Sequence, residues 1–327
     1  MSEHTEDPNF RYSNDNRDFT PGEYDYPSQQ EINRSAIKGA RDYYPNDNGG
    51  YYANSNREDI STIDPPNKKQ PPNSNFKIDE RPWTPSEIST KFWYDAADLS
   101  TITSSSNVIS QVDDKSGNDI HLNVITGGKI GPKTGVASLN GLNVFYWDAP
   151  DQILENDSFF HDQANVPLFL AIIFKADIDS SQDFLLAGTE STTAGKRMAI
   201  RRLHDSNRIQ IIGGSNTGSN IVLSSDENTA PEGKDFILLT KMNSTSSTIR
   251  LNGQVEKIGN IGTNPLDSLN IGGNASESSN IKGYIAEIIS FIDPNQQTIA
   301  EGYLAHKWGL QTKLPDSHAY KNSEPVI

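Results

Sequence analysis

From Phe92 onward the chain is written in short runs of β-branched, aromatic and aliphatic residues separated by Gly, Asn, Asp and Ser, and this punctuation constrains the fold more than any other feature. The runs Phe92–Tyr94, Val108–Val112, Val144–Trp147, Leu168–Phe174, Phe184–Ala187 and Met198–Leu203 read as strands. So do Ile209–Ile212, Phe236–Lys241, Thr248–Leu251, Gln254–Ile258, Leu269–Ile271 and Tyr284–Ile292. Many short strands at this spacing are the signature of a sandwich or barrel and predict one all-β domain over residues 89–327, read as a sandwich. Leu168–Phe174 is apolar throughout and should be covered on both faces, and Tyr284–Ile292 is similar apart from Glu287. Between Thr248–Leu251 and Gln254–Ile258, Asn252-Gly253 supplies the positive φ angles of a two-residue type I′ turn. One helix follows the strands. Asp293 can cap it, Pro294 suits its first turn, Ile299, Tyr303, Leu304 and Trp308 form an apolar stripe, and Gly309 supplies the stop.

Residues 1–88 obey a different grammar. They are rich in Asn, Asp, Pro, Ser and Tyr, contain Pro65-Pro66 and Pro71-Pro72, and show no sustained apolar period beyond a short helical possibility at Gln29–Arg41. Ordering a backbone costs about 1–2 kcal/mol per residue, which such a segment cannot offset by a core of its own. It nevertheless carries seven of the chain's twelve tyrosines: Tyr12, Tyr24, Tyr26, Tyr43, Tyr44, Tyr51 and Tyr52. Disordered tails are usually poor in aromatics, so the expectation is an extended arm that binds a partner through these rings.

Net charge is −15, and no Lys/Arg cluster exceeds a pair, so a nucleic-acid partner is not expected. No apolar stretch approaches the ~18 residues of a membrane span. Cysteine is absent and the start is polar, which points to a soluble protein made and kept in a cytoplasm, or assembled there.

Four segments then carry a resemblance: FWYDAADLSTI at 92–102, QVDDKSGNDIHL at 111–122, GYIAEIISF at 283–291, and GYLAHKWGL with LPDSHAY at 302–310 and 314–320. In order and spacing they resemble the concanavalin A-like, laminin-G-like jelly-roll domains found in phage structural proteins and large bacterial surface proteins. The resemblance implies a jelly-roll β-sandwich with one C-terminal helix. Val112 stands where that family often has Trp, and Asp119 where it often has Gly.

Chemistry is sparse. The Glu-x-Asp-x-x-Glu motif of glycosidases sharing this sandwich is absent, and the remaining candidate, Glu287, reads as a hydrogen-bonded structural group. The six histidines lack metal-ligand spacing, and Asp113, Asp114, Asn118 and Asp119 read as a solvated turn in preference to a calcium site. Gly213-Gly214 and Gly272-Gly273 read as strand-end turns, and of Arg201 and Arg202 one should be paired and the other face outward. No enzyme activity, cofactor or metal is expected. The leading expectation is a phage virion protein, on capsid or tail, anchored to other virion proteins by its N-terminal arm. The alternative is an adhesion module that binds glycans through rim aromatics beside Asn or Asp, with Tyr146, Trp147 and Asp148 reading equally as contributors to that rim or as core.

Overall fold

The computed structural model describes residues 80–125, 127–177, 183–188, 196–215, 218–274 and 280–327, which all lie in one compact unit, Asn75–Ile327. The seven tyrosines named above and Gln29–Arg41 lie outside the described residues.

The fold is an antiparallel β-sandwich with one C-terminal helix, as the strand pattern and the resemblance lead one to expect. One antiparallel sheet runs, in spatial order, β1 (Thr90–Asp95), β18 (Gly283–Phe291), β9 (Leu168–Ala176), β14 (Asp235–Met242), β15 (Ser247–Leu251) and β16 (Gln254–Gly259), with β7 (Phe145–Trp147) also on β18. The second has nine strands: β13 (Asn220–Ser224), β12 (Ile209–Gly214), β11 (Ala199–Arg202), β10 (Asp183–Ala187), β17 (Leu269–Ile271), β8 (Leu154–Asn156), β4 (Leu122–Asn123), β3 (Val108–Val112) and β2 (Ile102–Ser105). A small hairpin joins β5 (Ser138–Leu139) to β6 (Leu142–Asn143). Every run expected to be a strand is one.

β9 shows why an apolar run with no alternation belongs here. Leu168, Leu170, Ile172 and Phe174 enter the core between the sheets, while Phe169, Ala171 and Ile173 enter a second core under the helix α1 (Gln297–Lys307). Asp293 caps a 3₁₀ turn leading into α1, and Leu304 and Trp308 of its stripe are buried while Ile299 and Tyr303 pack at the edge. Gly309 takes φ +71°, the left-handed stop. The Asn252-Gly253 turn has φ +50° and +81°, and it joins β15 to β16 as expected.

The sandwich starts before residue 89. Trp83 is 3% exposed and meets Tyr303 edge-on at 5.6 Å. Its N–H donates to Pro325 O (2.9 Å), Pro82 bridges Val326, and Ile327 N donates to Arg81 O (3.0 Å). Residues 81–83 and 325–327 thus clasp each other beside α1, a pairing that no local sequence signal reveals.

Candidate functional site

Glu287 stands in the middle of β18, where an unbroken alternation would aim it at the apolar core between the sheets. A bulge between Ile285 and Glu287 shifts the register with β9, so that Ile285 and Ile288 face that core while Ala286 and Ile289 face α1. The Glu287 carboxylate accordingly meets the helix side. Its Oε1 accepts from Trp93 Nε1 (2.7 Å) and Tyr303 OH (3.0 Å), and its Oε2 from Lys307 Nζ (2.7 Å) and Trp308 Nε1 (2.8 Å). Lys307 also bridges Asp95 (2.7 Å), and Lys115 joins Asp95 (2.9 Å) to Asp98 (2.8 Å). Burial pushes the Glu287 carboxyl above its usual range, against the opposing pull of Lys307. Hydrogen bonds from Lys115 and Ser100 hold Asp98 down at about 2. Burial and the Glu287 charge push the Tyr303 hydroxyl upward.

A carboxylate has about four lone-pair sites, and four donors occupy those of Glu287. Among the described residues the other buried carboxylates are Asp95, Asp114, Glu155, Asp183 and Glu301, and each has at least one donor beside it. Asp183 pairs with the fully buried Arg202 (2.8 Å), leaving Arg201 half-buried across from Gln210 (3.0 Å). Glu301 receives Arg250 in a two-pronged contact (2.9 and 2.9 Å) and lies 3.4 Å from His318.

The acidic turn at 113–118 closes the edge of β1. Asp114 Oδ1 accepts from Trp93 N (2.9 Å) and Ser116 N (2.9 Å), its Oδ2 from Ser116 Oγ (2.6 Å) and Ile120 N (3.2 Å). Lys115 N donates to Trp93 O (2.9 Å), and Asn118 Nδ2 to Thr90 O (2.8 Å) and Lys91 O (3.1 Å). These contacts satisfy backbone groups that an edge strand would otherwise offer to another chain. Asp119 holds φ +58°, a left-handed position that suits glycine. Among the described residues no group of three or more His, Asp or Glu side chains could hold a metal ion.

Of the two readings open for residues 146–148, rim or core, the structure takes the second for Trp147. Trp147 is fully buried because its indole lies against Gly272, where a Cβ would come within 2.1 Å of the ring. Tyr146 is half-buried with its hydroxyl 3.4 Å from Asp177, and Asp148 pairs with Lys133 (2.5 Å). Trp147 therefore belongs to the core, and the strand-end turn at Gly272 exists to admit it.

Two other surfaces could meet a ligand. On the outer face of the nine-stranded sheet, one cross-strand row runs Thr103, Gln111, Asn123, Glu155, Asn270, Ala187, Ala199, Ile212, Val222. Its polar and apolar halves meet at Asn270, which donates to Ala187 O (3.1 Å), but Glu155 through Ile212 are buried, so only the ends of the row are open. The second surface is the loop between β8 and β9. Phe159 packs edge-on against Phe92 (5.1 Å), His161 exchanges backbone hydrogen bonds with Leu266 (2.8 and 2.9 Å), and Gln163 is fully buried. Gln163 donates to Gly262 O (3.0 Å) and Asn264 O (3.1 Å) and accepts from Ser244 N (2.6 Å). His161 Nε2 donates to Val166 O (2.8 Å), and burial lowers that imidazole's pKa. Between these anchors Phe160 is 65% exposed, with Asp162 and the exposed Asn165 beside it. The sequence signal was the Phe159-Phe160 pair itself, since adjacent residues of an extended segment face opposite ways.

No protein-family model matches the chain, and no curated protein matches it. Among solved structures it is similar to domain 4 of AbnA, a GH43 extracellular arabinanase from Geobacillus stearothermophilus in complex with arabinotriose. That match has 14% identity and a TM-score of 0.44, covering 64% of this chain and 96% of that one. The binding domain of botulinum neurotoxin serotype D is similar at 14% identity and TM-score 0.42, covering 64% and 50%. Trypanosoma rangeli sialidase is similar at 12% identity and TM-score 0.41, covering 62% of this chain, which spans 30% of the sialidase's own length. The likeness is one of β-sandwich architecture.

Proposed function

We propose that residues 80–327 form a non-catalytic saccharide-binding module whose contact surface is the Phe160 loop. The observation that carries this reading is a phenyl ring held 65% exposed on a loop whose flanking residues are buried and hydrogen-bonded. A fixed aromatic face stacks on the apolar face of a sugar ring, while Asp162 and Asn165, already tied to each other (2.6 Å) and the former also to Ala164 N (3.1 Å), keep further lone pairs and an amide hydrogen for its hydroxyls. Rigid positioning lowers the ordering cost of binding. The absence of catalysis is inferred from the missing paired-carboxylate motif and from the four donors that converge on Glu287. The setting we infer is display on a phage particle, with the segment before residue 80 as the anchor, a reading supported by the tyrosine-rich composition of that segment and the lack of cysteine.

The test is a glycan array probed with the full chain, followed by titration of the best ligand. Phe160→Ala should weaken binding about tenfold or more, ~1.4 kcal/mol, with an unchanged melting midpoint. A variant that binds its glycan as tightly as the parent would refute the placement of the site. Release of reducing ends from any bound glycan would refute the absence of catalysis.

A further inference from the structure

On the far side of the seven-stranded sheet from the core between the sheets, the clasp of residues 81–83 with 325–327 leaves a cleft of about 140 Å³ against α1. Its walls are Pro82, Trp83, Thr84 and Pro325 on one side and Tyr303, His306 and Lys307 on the other, with Glu324 at the mouth. Both walls are fixed before any ligand arrives. The clasp is held by the hydrogen bonds of Trp83 N and Ile327 N, and Tyr303 and Lys307 are locked onto Glu287. The volume is close to the ~150 Å³ of an apolar cavity that accepts benzene, so it suits one six-membered ring and not two.

The chemistry of the lining narrows the ring. Trp83, Tyr303 and the two prolines give an apolar surface. Thr84 adds a hydroxyl, which also pairs with Ser86 Oγ (2.6 Å), and Glu324 an exposed carboxylate. Donors and acceptors beside an apolar wall match a hydroxylated ring better than a plain aromatic one. Charge excludes an acidic ring. The ammonium of Lys307 is already shared by Asp95 (2.7 Å), Glu287 (2.7 Å) and the Tyr303 hydroxyl (3.2 Å), and Glu324 adds a further negative charge.

We propose that the cleft between the 81–84/324–327 clasp and α1 binds a single neutral pyranose ring, as a second site separate from Phe160. Ligand-observed NMR with the full chain tests it, using methyl glucopyranoside, methyl galactopyranoside, methyl mannopyranoside and N-acetylneuraminic acid as probes. At least one neutral glycoside should show saturable binding and N-acetylneuraminic acid none. Thr84→Val and Glu324→Ala, both at the rim, should each weaken that binding severalfold with no change in melting, and Phe160→Ala should leave it intact. The proposal is overturned if no neutral glycoside binds saturably, if N-acetylneuraminic acid binds as well, or if both rim variants bind like the parent. Loss of binding in Phe160→Ala alone would also overturn it and would assign the ligand to the loop.

Discussion

Replacing Glu287 with alanine removes the acceptor on which two tryptophans, a tyrosine and a lysine converge. The tryptophan N–H groups and the Tyr303 hydroxyl would lose their shared partner in a buried place, and Lys307 would keep Asp95 and the Tyr303 hydroxyl. Removing one partner of a buried ion pair costs about 3–5 kcal/mol, and in a domain of this size that corresponds to a fall in melting midpoint of roughly 6–20 °C. Near-ultraviolet circular dichroism is the suitable assay, because Trp93 and Trp308 both report on the network. A second variant separates the network from simple cavity formation. Lys307→Met combined with Glu287→Leu removes both charges, and its destabilisation should fall short of the sum of the single changes by about 1 kcal/mol or more. If Glu287→Ala melted within a degree or so of the parent, the carboxylate would not be structural, and the case against a chemical role for it would fall with that result.

The remaining predictions concern acid stability and the domain boundary. Asp98, held near 2 by Lys115 and Ser100, has a carboxyl below the ~3.9 of an unfolded chain. The stability it contributes is complete above the unfolded value and fades as pH falls toward 2. The melting midpoint of Asp98→Asn should therefore lie below that of the parent at neutral pH and converge with it near pH 2, and a gap independent of pH would contradict the assignment. Glu301 acts in the same direction: burial alone would raise its carboxyl, but hydrogen bonds from His318 and Arg250 leave it lowered. Deleting residues 1–79 should leave thermal unfolding of the sandwich nearly unchanged, whereas deleting residues 1–84 also removes Trp83 and should cost about 3–5 kcal/mol. Equal midpoints for the two truncations would show that Trp83 contributes nothing to the core under α1.

Strands that carry a strong apolar signal were legible because each buries at least one face. Those not foreseen have specific reasons. β2 reads Ile-Thr-Ser-Ser and is exposed after Ile102, β8 reads Leu-Glu-Asn, and β4 is two residues long. Cross-strand pairing defines them more than their composition does. The docking of α1 was visible in its stripe, but the environment of Glu287 was not, because a bulge that changes which side a residue faces leaves no mark in a periodic pattern. Trp147 and Phe160 illustrate the limit for site residues. Both are large aromatics near Asp and Asn, and what separates core from surface is a glycine 125 positions away in one case and a buried neighbour, Phe159, in the other.

The four segments that carry the family resemblance meet in one place: Trp93, Asp95 and Asp98 from the first, Lys115 from the second, Glu287 from the third, and Tyr303, Lys307 and Trp308 from the fourth. They are a lock that fixes β1, β18 and α1 to one another, and the Phe160 loop takes no part in it. A domain built this way separates what must be inherited together from what can drift. Loop 157–167 could be exchanged for one of different shape and taste while the lock went on assembling the same sandwich, so two proteins sharing these four segments need share no ligand.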